Sequence, residues 1–393
     1  MNMDILSLLR VAKSRAASDL HLIVSNRPML RIHGVLDPIS ESPILTPVDI
    51  EDALDWLTKE RGRDDFDKFK ELDFGCTIPG IGRVRCNASR QQGTTAIAIR
   101  LLPESILDID ELMLPSICRD LVQKPRGMVI VSGPAGCGKS TTLAAMINHL
   151  NRHRNLRVVT IEDPVEYIYP DLNCIISQRE LGTDTWSFTN ALKHVLRQDP
   201  DVILVGEMRD ADTAAAALSI AETGHLLLTT GHAPSASQAI ERVIDLFPPH
   251  ERHLVQSRLA SLLIGVLCQT LVPRADGVGR IPAVEIMLAN TAVKNLIRDG
   301  KIYQLPNLIQ THTLEGMQLL DQALIKLYRG KLITRESVFD FCNDHYLVER
   351  NILNGSKKPE ELFIGADVDF PSERVPHSSN KSDNLPFYMT DND

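Results

Sequence analysis

Nowhere in the 393 residues do two cysteines stand closer than ten positions, and no CxxC pair occurs. A structural zinc site is built from such close thiol pairs, so that class of module is excluded. The seven thiols, at Cys76, Cys86, Cys118, Cys137, Cys174, Cys268 and Cys342, are odd in number and scattered, which fits a reducing compartment better than a disulfide frame. Long apolar runs are missing too. No stretch of eighteen apolar residues occurs, and the opening MNMDILSLLRVAKSR holds only a five-residue apolar-rich stretch before Arg10, too short for a signal-peptide core. The chain is therefore expected to be cytoplasmic, meeting a membrane only peripherally or through a partner. Positive charge is also in short supply. Against 51 Asp and Glu there are 42 Lys and Arg, a net charge of −9, which disfavours a nucleic-acid coat because non-specific phosphate binding rests on a basic surface.

What is present is ordinary folded composition, 43% apolar and 24% charged, enough apolar surface to offset ordering entropy over two or three domains. Ile5, Leu8, Leu9 and Ala12 recur at helical spacing between Asp4 and Ala16. The period then shortens. Runs 20–24, 29–36, 71–78, 83–91 and 94–102 read as strands, with a helical stretch at 47–59 between them, so residues 1–105 are expected to form a small α+β domain. From Pro103 to Pro125 the strand pattern lapses, which marks residues 106–125 as an interdomain linker. From Gly127 near-continuous apolar strands at 128–132, 157–161, 201–205 and 225–230 alternate with helical stretches such as 139–152, the pattern of a parallel sheet buried on both faces. Residues 126–352 are thus expected to be a doubly wound α/β domain that turns mainly helical beyond Ile281, clearest at 292–298 and 317–327. Residues 353–393, rich in Ser, Pro, Asn and charge, are expected to be an unstructured tail.

The sharpest motif is Gly133-Pro134-Ala135-Gly136-Cys137-Gly138-Lys139-Ser140-Thr141, which follows a Val-rich strand and opens a helix. Glycines let backbone N–H groups close around phosphate oxygens, the helix N-terminus adds a positive dipole end, Lys139 reaches the outer phosphates, and the Ser140 hydroxyl can ligate Mg²⁺. A cradle alone hydrolyses nothing, since a group must also orient water and a second must help to hold the metal. Glu207 ends the strand Val202–Val205 at the carboxyl edge of the sheet, where ligands of open α/β sheets bind. Glu162, Asp163 and Glu166 cluster at another strand end around Pro164, an arrangement that serves equally as a solvated acidic turn. His225 and His232 bracket the strand between them, as phosphate sensors or as ordinary hydrogen-bonded strand-end histidines.

Taken together, GPAGCGKS (133–140), TIEDPVEY (160–167), RQDPDVILVGEMRD (197–210) and AETGHLLLTTGHA (221–233) resemble, in order and spacing, the Walker A, Asp-box, Walker B and His-box segments of the type II/IV secretion ATPases. The resemblance is closest to the PilT/PilU family of type IV pilus retraction ATPases, and it extends to ASDLHL (17–22), AVKNLIRDGKIYQL (292–305) and GMQLLDQAL (316–324), leaving only the tail without a counterpart. The short N-terminal domain and the absent four-cysteine module favour the retraction branch. The resemblance implies a homo-hexameric ring of subunits, each a PAS-like N-terminal domain joined to a RecA-like P-loop ATPase domain. Such a ring turns ATP hydrolysis, with Mg²⁺, into pilin depolymerisation at an inner-membrane platform protein, in some cases beside a paralogous ATPase.

By position the resemblance makes Glu166 the group that polarises water, and Glu207 an aid at Mg²⁺ together with Ser140 and Asp163. It makes His225 and His232 nucleotide sensors, and Arg85 and Arg100 the N-terminal residues that reach the γ-phosphate, with Arg83 and Arg90 of milder effect. One departure stands in the His-box, where Gly231 replaces the usual Leu and is expected to loosen the backbone beside His232. Two other readings remain open. A small-molecule P-loop kinase would need an acceptor pocket and an arginine-rich lid, neither of which is evident. An accessory subunit that turns over only with a paralogue would keep every carboxylate seen here.

Overall fold

The computed structural model describes residues 4–32, 34–58, 63–103 and 105–353; the expected tail lies outside the described residues. Asp4 caps the first helix, α1 (Ile5–Ser14), by accepting from the Leu6 N–H, and Ile5, Leu8, Leu9 and Ala12 form its buried stripe. Three strands follow, β1 (Asp19–Ile23), β2 (Met29–Ile32) and β3 (Val35–Pro38). The run 29–36, expected as one strand, is a hairpin: Gly34 takes φ +85° and turns the chain back so that Met29 pairs with Pro38. Helices α2 (Pro47–Thr58) and α3 (Arg63–Phe69) lead into β4 (Glu71–Ile78), β5 (Gly82–Gln91) and β6 (Thr94–Leu101).

These six strands make one antiparallel sheet in the order β3-β2-β1-β6-β5-β4. Its buried face carries Leu20, Leu22, Val84, Cys86, Ala88, Ile97 and Ile99, which pack with the apolar stripes of α1 and α2 in one core. Because side chains alternate along a strand, burying Val84, Cys86 and Ala88 turns Arg83 and Arg85 to the opposite face. That alternation aims both arginines away from the N-terminal core.

The connecting stretch is not an open linker. Helix α4 (Ile117–Val122) and the residues before it send Ile109, Leu114, Cys118, Leu121 and Val122 into the core of the next sheet. That sheet begins with β7 (Gly127–Ser132), then α5 (Lys139–His153), β8 (Arg157–Glu162), β9 (Ile175–Glu180), α6 (Phe188–Val195), β10 (Val202–Val205), α7 (Ala211–Glu222), β11 (Leu226–Thr230), α8 (Ala236–Asp245), α9 (Arg252–Leu262), β12 (Leu263–Pro273) and β13 (Arg280–Leu288). The strand order is β13-β12-β7-β11-β10-β8-β9, parallel except for the β12–β13 pair. One face is covered by α6 to α9 and the other by α4 and α5, each over its own core, as a sheet with buried strands on both sides requires.

Beyond Ile281 the expectation of helix fails first at β13, since Ile281, Ala283, Val284, Ile286 and Met287 are all buried and two-sided burial erases the alternation that marks a strand. Helices then do follow: α10 (Thr291–Arg298), α11 (Leu305–Thr311), α12 (Leu320–Arg329), α13 (Arg335–Phe341) and α14 (His345–Leu353). Among the described residues no helix is long and apolar enough to cross a membrane.

Candidate functional site

Strand β7 delivers the loop 133–138 to the carboxyl edge of the sheet, where α5 opens. Gly136 and Gly138 take φ +74° and +90°, values that side chains with a Cβ rarely adopt, and this curls the loop around a hollow facing the helix N-terminus. The Lys139 ammonium folds over that hollow, donating to the carbonyls of Gly133 at 2.8 Å and Pro134 at 3.0 Å. Behind the loop, Gln269 of β12 clamps it: its amide nitrogen donates to the Cys137 carbonyl at 2.6 Å and its oxygen accepts from the Thr142 hydroxyl at 2.7 Å. Gly133 and Cys137 belong to this rear wall, for a Cβ at Gly133 would collide with the Gln269 backbone and come within 2.7 Å of the Cys137 sulfur. Ala135, Gly136, Gly138, Lys139, Ser140 and Thr141 line the open cleft itself, which has a volume of about 520 Å³.

The far wall of that cleft is acidic. Glu162, Asp163, Glu166 and Glu207 all line it, with Tyr167 and Tyr169. Tyr167 braces the helix start through a 2.8 Å hydrogen bond with the Thr141 hydroxyl. Glu207 is held by the Arg209 guanidinium and, at 3.1 Å, by Nε2 of His232, while Arg209 also reaches Asp163 at 3.4 Å. Glu162 accepts from the Thr160 hydroxyl at 2.6 Å and from the Gln178 amide at 3.3 Å. Burial nevertheless pushes its carboxyl up to about 7, with the nearby Glu166 charge adding to the rise. Among the described residues no three acidic, histidine or cysteine side chains converge as a ready metal cage.

The N-terminal sheet closes the cleft. Arg85 and Arg100 are register partners across β5 and β6, and both line the same cleft as Lys139. Arg100 is engaged by Asp19, Nε to Oδ1 at 2.9 Å, whereas the Arg85 side chain has no hydrogen bond or ion pair among the described residues. Like charges placed directly opposite one another destabilise a sheet, so this pair is a standing attraction for an anion. Arg90 lies elsewhere, bonded to Glu51 and Thr95 and stacked over Phe66.

His225, like Arg90, stands apart from the cleft. It precedes β11, whereas His232 follows it, so the two flank opposite ends of a five-residue strand that is itself about 16 Å long at the usual rise. His225 bonds to Thr223 and Ile220, and only His232 lines the cleft. Gly231 also behaves otherwise than expected. Its backbone is not left-handed; what it provides is room, because a Cβ there would lie 2.9 Å from the Ser132 hydroxyl. That hydroxyl donates to the Ala233 carbonyl at 2.7 Å and accepts from the Ala233 N–H at 2.9 Å, tying the His-box to the base of the phosphate loop. The glycine therefore permits a tight join and does not loosen one. Gln269, Arg209 and Arg280 carry no motif in the sequence; only Gln269, a lone amide inside the apolar run 263–273, leaves a visible signal.

The chain is similar to known proteins along most of its length. The family model described as Type II/IV secretion system protein matches residues 79–329. The type IV pilus retraction ATPase PilT of Pseudomonas aeruginosa is 42% identical over 335 residues, covering 85% of this chain and 97% of that protein. The type IV pilus ATPase PilU of the same organism is 36% identical over 394 residues, covering 100% of this chain and 98% of its own length, so the tail does have a counterpart in sequence. A crystal structure of the pilus retraction motor PilT with bound ADP superposes with a TM-score of 0.82 at 39% identity, over 88% of this chain and 99% of that one.

Proposed function

The chain belongs to the type II/IV secretion ATPases, in the PilT/PilU branch, and from that premise we propose that it is a motor that hydrolyses ATP to drive type IV pilus retraction. The observation that carries the chemistry is the convergence on one cleft of Lys139, Glu166, Glu207 and the opposed pair Arg85 and Arg100. Lys139 and the loop N–H groups bind the outer phosphates. Glu166 orients and polarises the attacking water. Arg85 and Arg100, from the same chain, meet the charge that develops on the γ-phosphate, and His232, bonded to Glu207, registers nucleotide state from the Walker B side. His225 has no such contact, and a sensing role toward this cleft is not proposed for it.

The donor set fits Mg²⁺. The Ser140 hydroxyl and the Asp163 and Glu207 carboxylates are hard oxygen donors lining the same cleft, and Mg²⁺ is held by one or two carboxylates plus substrate phosphates while keeping several waters. When bound it neutralises charge between the outer phosphates. Ser140, Asp163 and Glu207 would hold it, with the exposed Arg209 releasing the two carboxylates it now bridges.

At the level of the assembly, the proposal includes a PAS-like N-terminal domain, a RecA-like second domain, a hexameric ring and docking on an inner-membrane platform protein from the cytoplasmic side. Support comes from the antiparallel sheet flanked by helices, the P-loop sheet and the PilT likeness along nearly the whole of that relative. A second reading, an accessory PilU-like subunit dependent on a paralogue, is favoured by one fact, the match to PilU along this entire chain. ATPase assay of the purified chain separates them: turnover alone, abolished in Lys139→Ala, supports the motor, and turnover only with a co-assembled paralogue supports the accessory. Near wild-type hydrolysis in Lys139→Ala would overturn both.

A further inference from the structure

Arg83 shares its strand face with Arg85 but serves another place. Its side chain, 15% exposed, crosses to the second sheet, where Nε donates to the Val165 carbonyl at 3.2 Å and a terminal nitrogen pairs with the Glu180 carboxylate. Glu180 ends β9, is 7% exposed at its side chain, and accepts from the Val165 N–H at 3.0 Å. One interdomain ion pair therefore grips both polar groups of Val165, the residue next to Glu166. Glu180 is itself fixed, its backbone N–H donating to Asp184 at 2.8 Å. Gly75 on the neighbouring β4 makes room for the crossing, because a Cβ there would lie 2.5 Å from the Arg83 guanidinium and 3.2 Å from the Glu180 carboxylate.

A buried ion pair is a weak source of stability, since an apolar pair of similar volume commonly does as well. As a geometric device it has a clearer use. Fixing the N–H and C=O of one residue fixes the direction in which its successor leaves, and misplacing a catalytic group by about 1 Å can cost 10²-fold in rate. We propose that Arg83 and Glu180 are positioning residues for the Glu166 carboxylate, so that correct seating of the N-terminal sheet is a condition for hydrolysis. This rests on the water-activating role assigned to Glu166 above, and it gives Arg83 a larger effect than the mild one expected from sequence.

The test is steady-state ATPase of the full chain, with nucleotide affinity and melting temperature measured separately. Arg83→Met, Glu180→Gln and Gly75→Ala should each lower kcat at least tenfold with KM within threefold of wild type. Arg83→Lys, which keeps the charge beside Glu180 but lacks the fork that also reaches Val165, should recover thermal stability and not kcat. The apolar pair Arg83→Met/Glu180→Leu should likewise melt near wild type and stay slow. Wild-type kcat in either stable variant would reduce the pair to domain glue and overturn the proposal. If Glu166→Gln hydrolyses ATP normally, the assignment of Glu166 falls and this inference with it. If Glu166→Gln is inactive while the Arg83 and Glu180 variants turn over normally, the positioning role alone falls.

Discussion

Arg85→Ala separates catalysis from folding most cleanly. Arg85 and Arg100 face one another across β5 and β6, and opposed Cβ atoms in such a pair lie about 5 Å apart. With the guanidinium groups about 7 Å apart in an effective dielectric of about 40, their repulsion is about 1 kcal/mol. Asp19 offsets this at Arg100, whose side chain is 62% exposed, and among the described residues no carboxylate pairs with Arg85. Removing Arg85 should therefore leave the melting temperature of the nucleotide-free protein unchanged or slightly raised. An arginine finger supplies roughly 10³-fold or more to phosphoryl transfer. Because Arg100 remains, we expect a kcat loss on the order of 10²-fold, equivalent to about 2.7 kcal/mol in the barrier, with KM little changed. Arg100→Ala should cost about tenfold, as part of its charge is already engaged by Asp19. The assay is steady-state ATPase alongside thermal unfolding without nucleotide. Wild-type turnover in Arg85→Ala, or a fall in melting temperature that tracks the fall in rate, would refute the finger geometry.

Glu166→Gln should bind ATP and fail to turn it over, since the amide keeps the shape of the carboxylate without its charge; if Glu207→Gln traps ATP and Glu166→Gln does not, their roles are exchanged. Glu162 has a folded pKa of about 7 against an ordinary 4.5, so the stability linked to its neutral form is complete below 4.5 and is lost as pH rises through 7. Glu162→Gln should accordingly flatten the pH dependence between those values and exceed wild type in stability at pH 8 by about 3 kcal/mol; parallel denaturation curves across that range would contradict this. Gln269→Leu strands the Cys137 carbonyl and the Thr142 hydroxyl, each a buried group costing about 1–3 kcal/mol when unpaired. Chemical denaturation should show the combined loss, and nucleotide titration at least a tenfold weaker affinity.

Local signals were legible to within a residue or two. The strand at Glu71–Ile78 and the P-loop helix from Lys139 carry their own periodicity, and the structure keeps them there. What sequence periodicity could not carry was anything buried on two sides or paired over distance. β13 shows six buried residues among nine and no alternation, so it passes for helix or loop when read alone. The hairpin at Gly34 hid inside a continuous β-like run because a single glycine, at φ +85°, is its only sequence mark. Arg83 and Glu180, 97 residues apart, look in sequence like two solvated charges, and only the docking of one sheet against the other makes them partners.

The Ser132 and Gly231 pair shows why a single departure from a family pattern is hard to interpret without its neighbour. Taken alone, glycine in place of leucine means lost packing and added freedom. With Ser132 in view the sign reverses. The Ser132 side chain is fully buried and makes two hydrogen bonds to the Ala233 backbone, and it stands where any Cβ at position 231 would press against it. The two residues are thus one local solution, in which the base of the phosphate loop and the segment carrying His232 are held by direct bonds. Through Ala233 this join reaches His232 and its 3.1 Å contact with Glu207, so the phosphate loop and the Walker B carboxylate are linked by a short chain of bonds against which any Cβ at position 231 would press.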